Sequence, residues 1–237
     1  MEKNLFLEKG FVKWTRLIDS EETNSISQVY QLLLNEKAKT QHLRSDLSGL
    51  GEKGKEKITQ IMRPSSIHSN LIESKTYQNA LEKAKYLLGE DMALDFDMLI
   101  NKSPDTATET PLHQDAAYWI SMPDKRAVSC WIAIDKAEEK NGCMWFIPRE
   151  GETVFPHQPN VEGGALYCDY SKEKAECVPL EPGDCTFHDG YTLHFSKGNF
   201  TKGNRRALIL NFRPQKMIEL ERSLGIDHTG VRKARNK

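Results

Sequence analysis

Between residues 93 and 213 the chain alternates short runs of β-branched and aromatic residues with turn-forming dipeptides. Residues 127–134, 143–147 and 205–212 are such runs, and each has the length and composition typical of a strand. Asn141-Gly142 precedes the run 143–147 and Pro182-Gly183 precedes a further run at 185–189, and both dipeptides favour sharp reversals of the chain. This pattern constrains the fold more than any other feature, because it predicts a mainly β core folded as a sandwich or a barrel.

The first ninety residues carry mainly helical patterns instead. Ser20 is followed by acidic residues typical of a helix start, and the next apolar side chains fall at helical spacing: Ile26, Val29, Tyr30 and Leu33. A second helix is predicted over residues 76–88, where Gly89 ends it. The polar, glycine-containing stretch 51–57 predicts an exposed loop between the two helices.

The composition limits the classes of protein to consider. The chain has 237 residues, of which 38% are hydrophobic and 28% charged, and its formal net charge is -1. We expect one domain, with a helical part at about 1–90, a core at about 93–213 and a basic tail at 214–237. The net charge argues against a nucleic-acid surface. No run could span a bilayer and no secretory signal is evident, so we expect a cytoplasmic protein.

The motif His113-Gln114-Asp115 carries the main chemical signal. Alternate side chains of a strand share a face, so His113 and Asp115 are expected to project together. Two histidines and one carboxylate on one face of an octahedron leave three positions open, which is typical of non-haem Fe(II) oxygenases. The second histidine must come from a distant strand, which a closed β architecture can bring alongside.

Two histidines compete for that place. His194 lies on a later predicted strand, and His188 precedes it by six residues. Both could share a face if the strand were continuous, but Asp189-Gly190 interrupts it. Spacing alone leaves both histidines open and favours His194 modestly.

Arg205 adds a candidate for binding an anion. It follows His194 across a loop that contains Gly198 and Gly203. A hairpin centred between residues 199 and 200 would place positions 194 and 205 opposite one another. An arginine there could offer its planar guanidinium to a carboxylate of 2-oxoglutarate. The adjacent Arg206 would then point to the other face, so one of the two arginines is expected at the surface.

Several of these segments, in this order, resemble the phytanoyl-CoA dioxygenase family. The matching blocks are residues 98–105, 111–115 and 141–148, and Gly183-Asp184 leading to His194 and Arg205. The resemblance runs from about residue 92 to 212 and more loosely through the N-terminal helices. It implies a double-stranded β-helix, the jelly roll of cupin-like proteins, wrapped by helices.

The same resemblance implies cofactors and the residues that hold them. Fe(II) would be bound by His113, Asp115 and His194, with Arg205 as the anchor of the cosubstrate 2-oxoglutarate and with O2 as the second cosubstrate. Three further residues are implied beside 2-oxoglutarate: Met98, Trp131 and Ser196. On a strand Ser196 would share a face with His194, so its hydroxyl could donate a hydrogen bond to a carboxylate.

The expected activity is hydroxylation of a small organic substrate, with release of succinate and CO2. One alternative is a zinc hydrolase, since two histidines and a carboxylate also suit Zn²⁺, although zinc chemistry gives Arg205 no role. The other is a vestigial, non-catalytic jelly-roll binding protein, which would be expected to lack a ligand. Tyr118, Trp119 and the loop 151–170 are expected on the substrate side. The residues identify neither the substrate, whether a coenzyme A thioester or not, nor the oligomeric state.

Overall fold

A computed structural model describes residues 1–49, 56–119, 122–159 and 165–228 of the chain. The helices in these ranges are α1 (Glu2–Lys9), α2 (Ser20–Asn35), α3 (Lys37–Thr40), α4 (Pro64–Ile67), α5 (Lys75–Leu88) and α6 (Gln215–Ser223). The strands are β1 (Phe11–Trp14), β2 (Arg44–Asp46), β3 (Ile58–Met62), β4 (Met92–Lys102), β5 (Thr110–His113), β6 (Val128–Ala133), β7 (Met144–Ile147), β8 (Gln158–Pro159), β9 (Leu166–Tyr167), β10 (Glu176–Val178), β11 (Cys185–Asp189), β12 (Leu193–Ser196) and β13 (Arg205–Pro214).

Two antiparallel sheets organise these strands. The larger sheet has seven strands in the order β1-β11-β6-β13-β4-β3-β2, and the smaller has four in the order β10-β7-β12-β5. β8 and β9 form a separate two-stranded ribbon. Neither main sheet closes into a barrel within the described ranges. The predicted mainly β jelly roll with flanking helices is confirmed.

The larger sheet is covered on both faces, and each face has its own apolar core. On one face Ile132 packs with Leu33 of α2 and Leu87 of α5. On the other face Trp131 packs with Phe146 of the smaller sheet. Successive residues of β6 therefore point into different cores, as the alternation of side chains along a strand requires. This second core places β6 and β13 opposite the smaller sheet, where the candidate site lies.

The predicted helices form at the expected positions. α2 begins at Ser20, but its cap is Asp19, because the Asp19 carboxylate accepts a hydrogen bond from the Glu22 N–H at 2.8 Å. α5 ends at Leu88, and Gly89 follows with a positive φ of 127°. The predicted turn before β11 also forms, with Gly183 at φ 89° and the Asp184 N–H bonded to the Glu181 carbonyl.

Helices make up most of the described N-terminal part, as predicted, but this part also contains three strands that the sequence analysis did not predict. β1, β2 and β3 belong to this part and join the larger sheet. β1 pairs with β11 and β3 pairs with β4, so their partners lie far along the chain. Such short strands are stabilised by those distant partners rather than by a local pattern. The predicted loop 51–57 lies outside the described residues up to residue 55.

The predicted basic tail is partly helical. It begins at the end of β13, continues as α6 and is described as far as His228. Its terminal basic residues, 229–237, lie outside the described residues. Among the helices that the structure describes, none combines the length and the apolar character needed to cross a bilayer.

Candidate metal centre

A cavity of about 380 Å³ opens between the two sheets. It brings together all seven residues that the sequence analysis assigned to the metal or to 2-oxoglutarate: Met98, His113, Asp115, Trp131, His194, Ser196 and Arg205. Strands of both sheets supply these side chains, and the turn after β5 supplies Asp115. Because the residues are far apart in the chain, the pairing of strands rather than local order assembles the site.

His113 and His194 are direct neighbours across the smaller sheet. β5 and β12 pair in a register that sets His113 opposite His194, and the two ring centroids are 4.2 Å apart. The Nδ1 of His113 lies 2.8 Å from the carbonyl oxygen of Pro111, and that of His194 lies 2.9 Å from the carbonyl oxygen of Thr192. A carbonyl oxygen only accepts, so each Nδ1 carries the proton. Each Nε2 therefore keeps its lone pair for a metal ion.

Asp115 does not share a strand with His113, contrary to the sequence prediction. β5 ends at His113, and Asp115 begins a 3-10 turn over Asp115–Tyr118, in which the Ala116 N–H donates to the Gly190 carbonyl. The turn brings the Asp115 Oδ1 to 3.8 Å from the His113 Nε2 and 3.7 Å from the His194 Nε2. The three ligand atoms lie within 4.8 Å of one another, so a single ion could contact all three.

The electrostatics of this cluster favours a bound cation. Burial raises the pKa of Asp115, but a hydrogen bond from His188 and the charges of the three histidines outweigh it and lower the pKa. Burial and the neighbouring His113 and His188 lower the pKa of His194. At neutral pH the carboxylate is therefore ionised and the His194 ring is neutral. These are the protonation states that coordinate a metal.

Arg205 supplies a buried positive charge to the same cavity. Its side chain is 1% exposed, and its Nε and Nη1 have no hydrogen-bond partner in the described structure. The guanidinium carbon lies 5.1 Å from the centre of the Trp131 ring. Burial lowers the pKa of Arg205 to about 10, which leaves the group charged near neutral pH. Buried donors with no partner in the protein are expected to meet a polar ligand, here an anion.

Lys102 strengthens this expectation, because it is a second buried cation next to Arg205. The two residues are cross-strand partners on β4 and β13. The Lys102 Nζ donates to the carbonyl oxygens of Ser196 and Lys197 at 3.0 and 2.5 Å. Burial and the charge of Arg205 lower the pKa of Lys102. A carboxylate placed on Arg205 would offset the repulsion between the two cations, so these residues fit a dicarboxylate such as 2-oxoglutarate.

The predicted hairpin between positions 194 and 205 is wrong. β12 belongs to the smaller sheet and β13 to the larger one, so the segment between them crosses from one sheet to the other. His194 and Arg205 consequently reach the cavity from opposite walls. Arg206 points to the other face of β13, as expected, and forms a half-buried ion pair with Asp135 at 2.7 Å.

His188 lines the cavity too, although the sequence analysis treated it only as a rival ligand. β11 ends at Asp189, so His188 and His194 lie in different sheets rather than on one continuous strand. The His188 Nε2 is 3.3 Å from the Asp115 Oδ2, the oxygen that faces away from the cluster of ligand atoms. The place of His188 beside Asp115 depends on strand pairing, and no local sequence pattern predicts it.

Two further residues of the cavity wall escaped the sequence analysis. The Gln60 amide donates to the Met98 sulfur at 3.1 Å, and its position depends on the pairing of β3 with β4. His228 lines the cavity from the C-terminal segment, where the sequence predicted only a tail. Both positions follow from contacts between segments that are distant in the chain.

Tyr118 and Trp119 both line the cavity. The Tyr118 hydroxyl accepts a hydrogen bond from the Leu166 N–H at 2.9 Å. The Trp119 ring packs so closely on Gly190 that a Cβ there would lie 2.2 Å from it. Within the loop 151–170, which was also expected on the substrate side, residues 160–164 lie outside the described residues.

Comparison with protein families gives a match along most of the chain. The family model described as phytanoyl-CoA dioxygenase (PhyH) matches residues 6–207. A Caenorhabditis elegans protein named "Probable phytanoyl-CoA dioxygenase" is 28% identical over 233 residues, which covers 89% of this chain and 74% of that protein. The human peroxisomal phytanoyl-CoA dioxygenase is 32% identical over 148 residues, which covers 58% of this chain and 44% of the human protein. The matched region is therefore less than half of the human relative.

A solved structure gives a similar fold. EvdO2 from Micromonospora carbonacea var. aurantiaca, in complex with 2-oxoglutarate, matches with a TM-score of 0.74 and 25% sequence identity. The match covers 89% of each chain. The two sheets and the cavity between them thus belong to a fold that in EvdO2 binds 2-oxoglutarate.

Proposed function

The chain belongs to the phytanoyl-CoA dioxygenase family of 2-oxoglutarate-dependent non-haem iron oxygenases, and from this premise we propose that it hydroxylates a small organic substrate. The proposal rests on two sets of side chains in one cavity, of which one can bind a cation and the other an anion. His113, Asp115 and His194 present ligand atoms to a cation, while Arg205 presents donors to an anion. Fe(II) and 2-oxoglutarate together fit both sets.

Each residue has a defined part in this proposal. His113 and His194 would offer Nε2 to Fe(II), and Asp115 would offer Oδ1. Arg205 holds the distal carboxylate of 2-oxoglutarate. Bound Fe(II) and 2-oxoglutarate supply the oxidative chemistry, in which O2 is consumed, a substrate C–H bond is hydroxylated, and succinate and CO2 are released. The protein orients the groups and excludes water from them.

Three neighbours of Arg205 complete the proposed cosubstrate pocket. Ser196 lies at the end of β12 and is 1% exposed, so its hydroxyl can meet a carboxylate without competition from water. Trp131 lies beside the guanidinium, and Met98 is held by the Gln60 amide. We assign all three to 2-oxoglutarate binding, because they line the same cavity as Arg205.

The substrate side of the cavity favours a compact apolar or amphipathic molecule. Phe96, Met62, Tyr118 and Trp119 contribute aromatic and thioether surface to the wall. Such walls bind by shape and burial of apolar area, with a few polar groups to set orientation. A hydroxylase needs this arrangement, because the C–H bond to be oxidised must be held next to the metal.

The rival functions leave part of the site unused. A zinc hydrolase would explain the ligand cluster but would give no role to two buried cations, Arg205 and Lys102. A vestigial binding protein would tolerate the loss of a ligand, yet His113, Asp115 and His194 are all present. The oxygenase gives a role both to the ligand cluster and to Arg205.

The test begins with metal-free protein under anaerobic conditions. Fe(II) and 2-oxoglutarate are added separately and then together, and the visible spectrum is recorded. We expect a weak charge-transfer band only with both present. The band should be absent in His194→Ala and weaker in Arg205→Ala. Tight zinc binding without such a band would favour the hydrolase, and absence of any metal binding would favour the vestigial protein.

A further inference from the structure

We propose that His188, Ser129 and Asn211 act as a positioning row for Asp115, holding one carboxylate oxygen so that the other is presented to the metal. This inference rests on the proposed function, because it assigns Asp115 as a ligand. His188 then acts on the ligand carboxylate and is not a ligand itself.

The three residues form one row across the larger sheet. Ser129 on β6 is the cross-strand partner of His188 on β11 and also of Asn211 on β13. Residues directly opposite one another on neighbouring strands project to the same face of a sheet. All three side chains therefore lie on the face of the larger sheet that packs against the smaller sheet. Each of them is at most 3% exposed.

The row ends on the carboxylate of Asp115. The Asn211 amide donates to the Ser129 hydroxyl oxygen at 2.9 Å, and the Ser129 hydroxyl donates to the Asp115 Oδ2 at 2.7 Å. Because the Ser129 oxygen accepts the N–H of Asn211, the Ser129 hydroxyl is free to donate its own hydrogen to Asp115. Hydrogen bonds linked in this way fix their own direction and strengthen one another.

His188 lies on the side of Ser129 opposite to Asn211 and contacts the same Asp115 oxygen, Oδ2. Its Nε2 lies 3.3 Å from the Asp115 Oδ2, and its Nδ1 is buried without a hydrogen-bond partner in the described structure. An ionised carboxylate only accepts, so the geometry requires the proton on Nε2. His113 and His194 differ in this respect, because their Nδ1 atoms face carbonyl oxygens and their Nε2 atoms are left for the metal.

The two carboxylate oxygens of Asp115 therefore face different partners. Oδ2 receives hydrogen bonds from the larger sheet, while Oδ1 faces His113 and His194 of the smaller sheet. A carboxylate held in this way would offer one oxygen, Oδ1, to a metal ion. It also connects the two sheets at the metal centre. Groups that orient a ligand in this way typically raise metal affinity by about 10- to 100-fold.

The test uses Co(II) as the probe, titrated anaerobically into metal-free protein. The dissociation constant and the visible absorption of bound Co(II) are recorded for wild type, His188→Leu, His188→Gln and Ser129→Ala. We expect His188→Leu and Ser129→Ala to weaken binding about tenfold and to change the absorption spectrum. His188→Gln keeps an N–H donor, so its affinity should stay within about threefold of wild type. Urea unfolding of each metal-free variant shows whether the fold is retained.

Two results would overturn the positioning row while leaving the proposed function intact. If His188→Leu and Ser129→Ala bind Co(II) with wild-type affinity and spectrum, the row has no effect on Asp115. If His188→Leu and His188→Gln both lose binding as completely as Asp115→Ala, His188 is itself a ligand. Failure of the wild-type chain to bind Co(II) would instead overturn the proposed function, and this inference with it.

Discussion

Two clusters of carboxylate and histidine side chains in the described structure have the spacing of a metal site, but their charges differ. The first is the site cluster, formed by His113, Asp115 and His194, and the second is the tail cluster, formed by Asp95, Glu221 and His228. In both clusters the ligand atoms lie within 4.8 Å of one another. Spacing alone therefore does not distinguish them, and the neighbouring charges do.

The tail cluster already contains its cations. Arg213 lies 2.8 Å from Glu221, Arg222 forms an ion pair with Asp95, and the His228 Nε2 lies 2.7 Å from Glu221. A divalent ion added there would be repelled by two guanidinium groups at short range. The site cluster has histidines but no arginine or lysine ion-paired to Asp115 in the described ranges. Of the two clusters, the site cluster therefore fits a divalent ion better.

The largest expected effect is the loss of function in Asp115→Ala. The substitution removes a ligand whose charge no neighbouring arginine replaces, so Fe(II)-dependent conversion of 2-oxoglutarate to succinate should fall to background. Asp95→Asn is the matched control from the tail cluster and should bind Fe(II) as the wild type does. A fully active Asp115→Ala variant would refute the assignment of Asp115 as a ligand. Weaker Fe(II) binding in Asp95→Asn would contradict the conclusion that the tail cluster does not bind the metal.

Arg213→Ala should act on stability rather than on metal binding. It removes one cationic partner of the buried Glu221, whose other close partner is His228, and breaking a buried ion pair typically destabilises a protein by about 3 to 5 kcal/mol. Urea unfolding of the metal-free protein measures the change. Arg126 forms more exposed ion pairs with Asp91 and Asp124, so Arg126→Ala should cost at most about 1 kcal/mol. Equal losses in the two variants would contradict the role given to burial.

Arg205→Met, unlike Arg213→Ala, should not destabilise the ligand-free protein. Its guanidinium is buried without a counter-ion, so the ligand-free variant should unfold at a urea concentration no lower than that of the wild type. The same change should weaken binding of 2-oxoglutarate on the order of 100-fold, because a buried charge pair is lost. Calorimetric titration in the presence of Fe(II) measures this affinity. Arg206→Ala, on the opposite face of β13, is the control and should bind 2-oxoglutarate normally.

The smallest effect concerns pH. Burial lowers the pKa of His228, but hydrogen bonds to Asp95 and Glu221 outweigh it, so the folded pKa lies above the ordinary 6.5. The charged ring therefore stabilises the fold fully below about pH 6.5, and this contribution is lost as pH rises through the folded pKa.

The corresponding experiment compares the wild type with His228→Gln by urea unfolding at several pH values. The stability difference should be about 1 to 2 kcal/mol near pH 5.5 and should shrink in alkaline solution. At still lower pH the difference should also fall. Burial raises the pKa of Asp95 and Glu221, but His228 and the arginines lower it further, so protonation of these carboxylates removes the interaction. A difference that is constant with pH would show that His228 is uncharged.

The site shows how far sequence reasoning reaches. The motif around His113 and Asp115 could be recognised from its residues. Spacing favoured His194 modestly and indicated Arg205 as an anion-binding candidate, and the resemblance to a family implied the roles of both. The geometry assumed for them was wrong in two respects. Asp115 lies in a turn rather than on the strand, and Arg205 faces His194 from the other sheet rather than across a hairpin. In both cases the error concerned which segments pair, which a local pattern does not encode.

The sequence by itself determined the features that depend on neighbouring residues. The periodicity of apolar side chains determined α2 and α5, and the alternation of strands with turn dipeptides determined the mainly β class. The tertiary structure decided the features that depend on distant pairing. It brought β1, β2 and β3 into the larger sheet, set His188 against Asp115, and gave the tail cluster its arginines but left Arg205 without a carboxylate. The physical reason is that propensity acts over a few residues, whereas the charge balance of a buried group depends on every segment that folds around it.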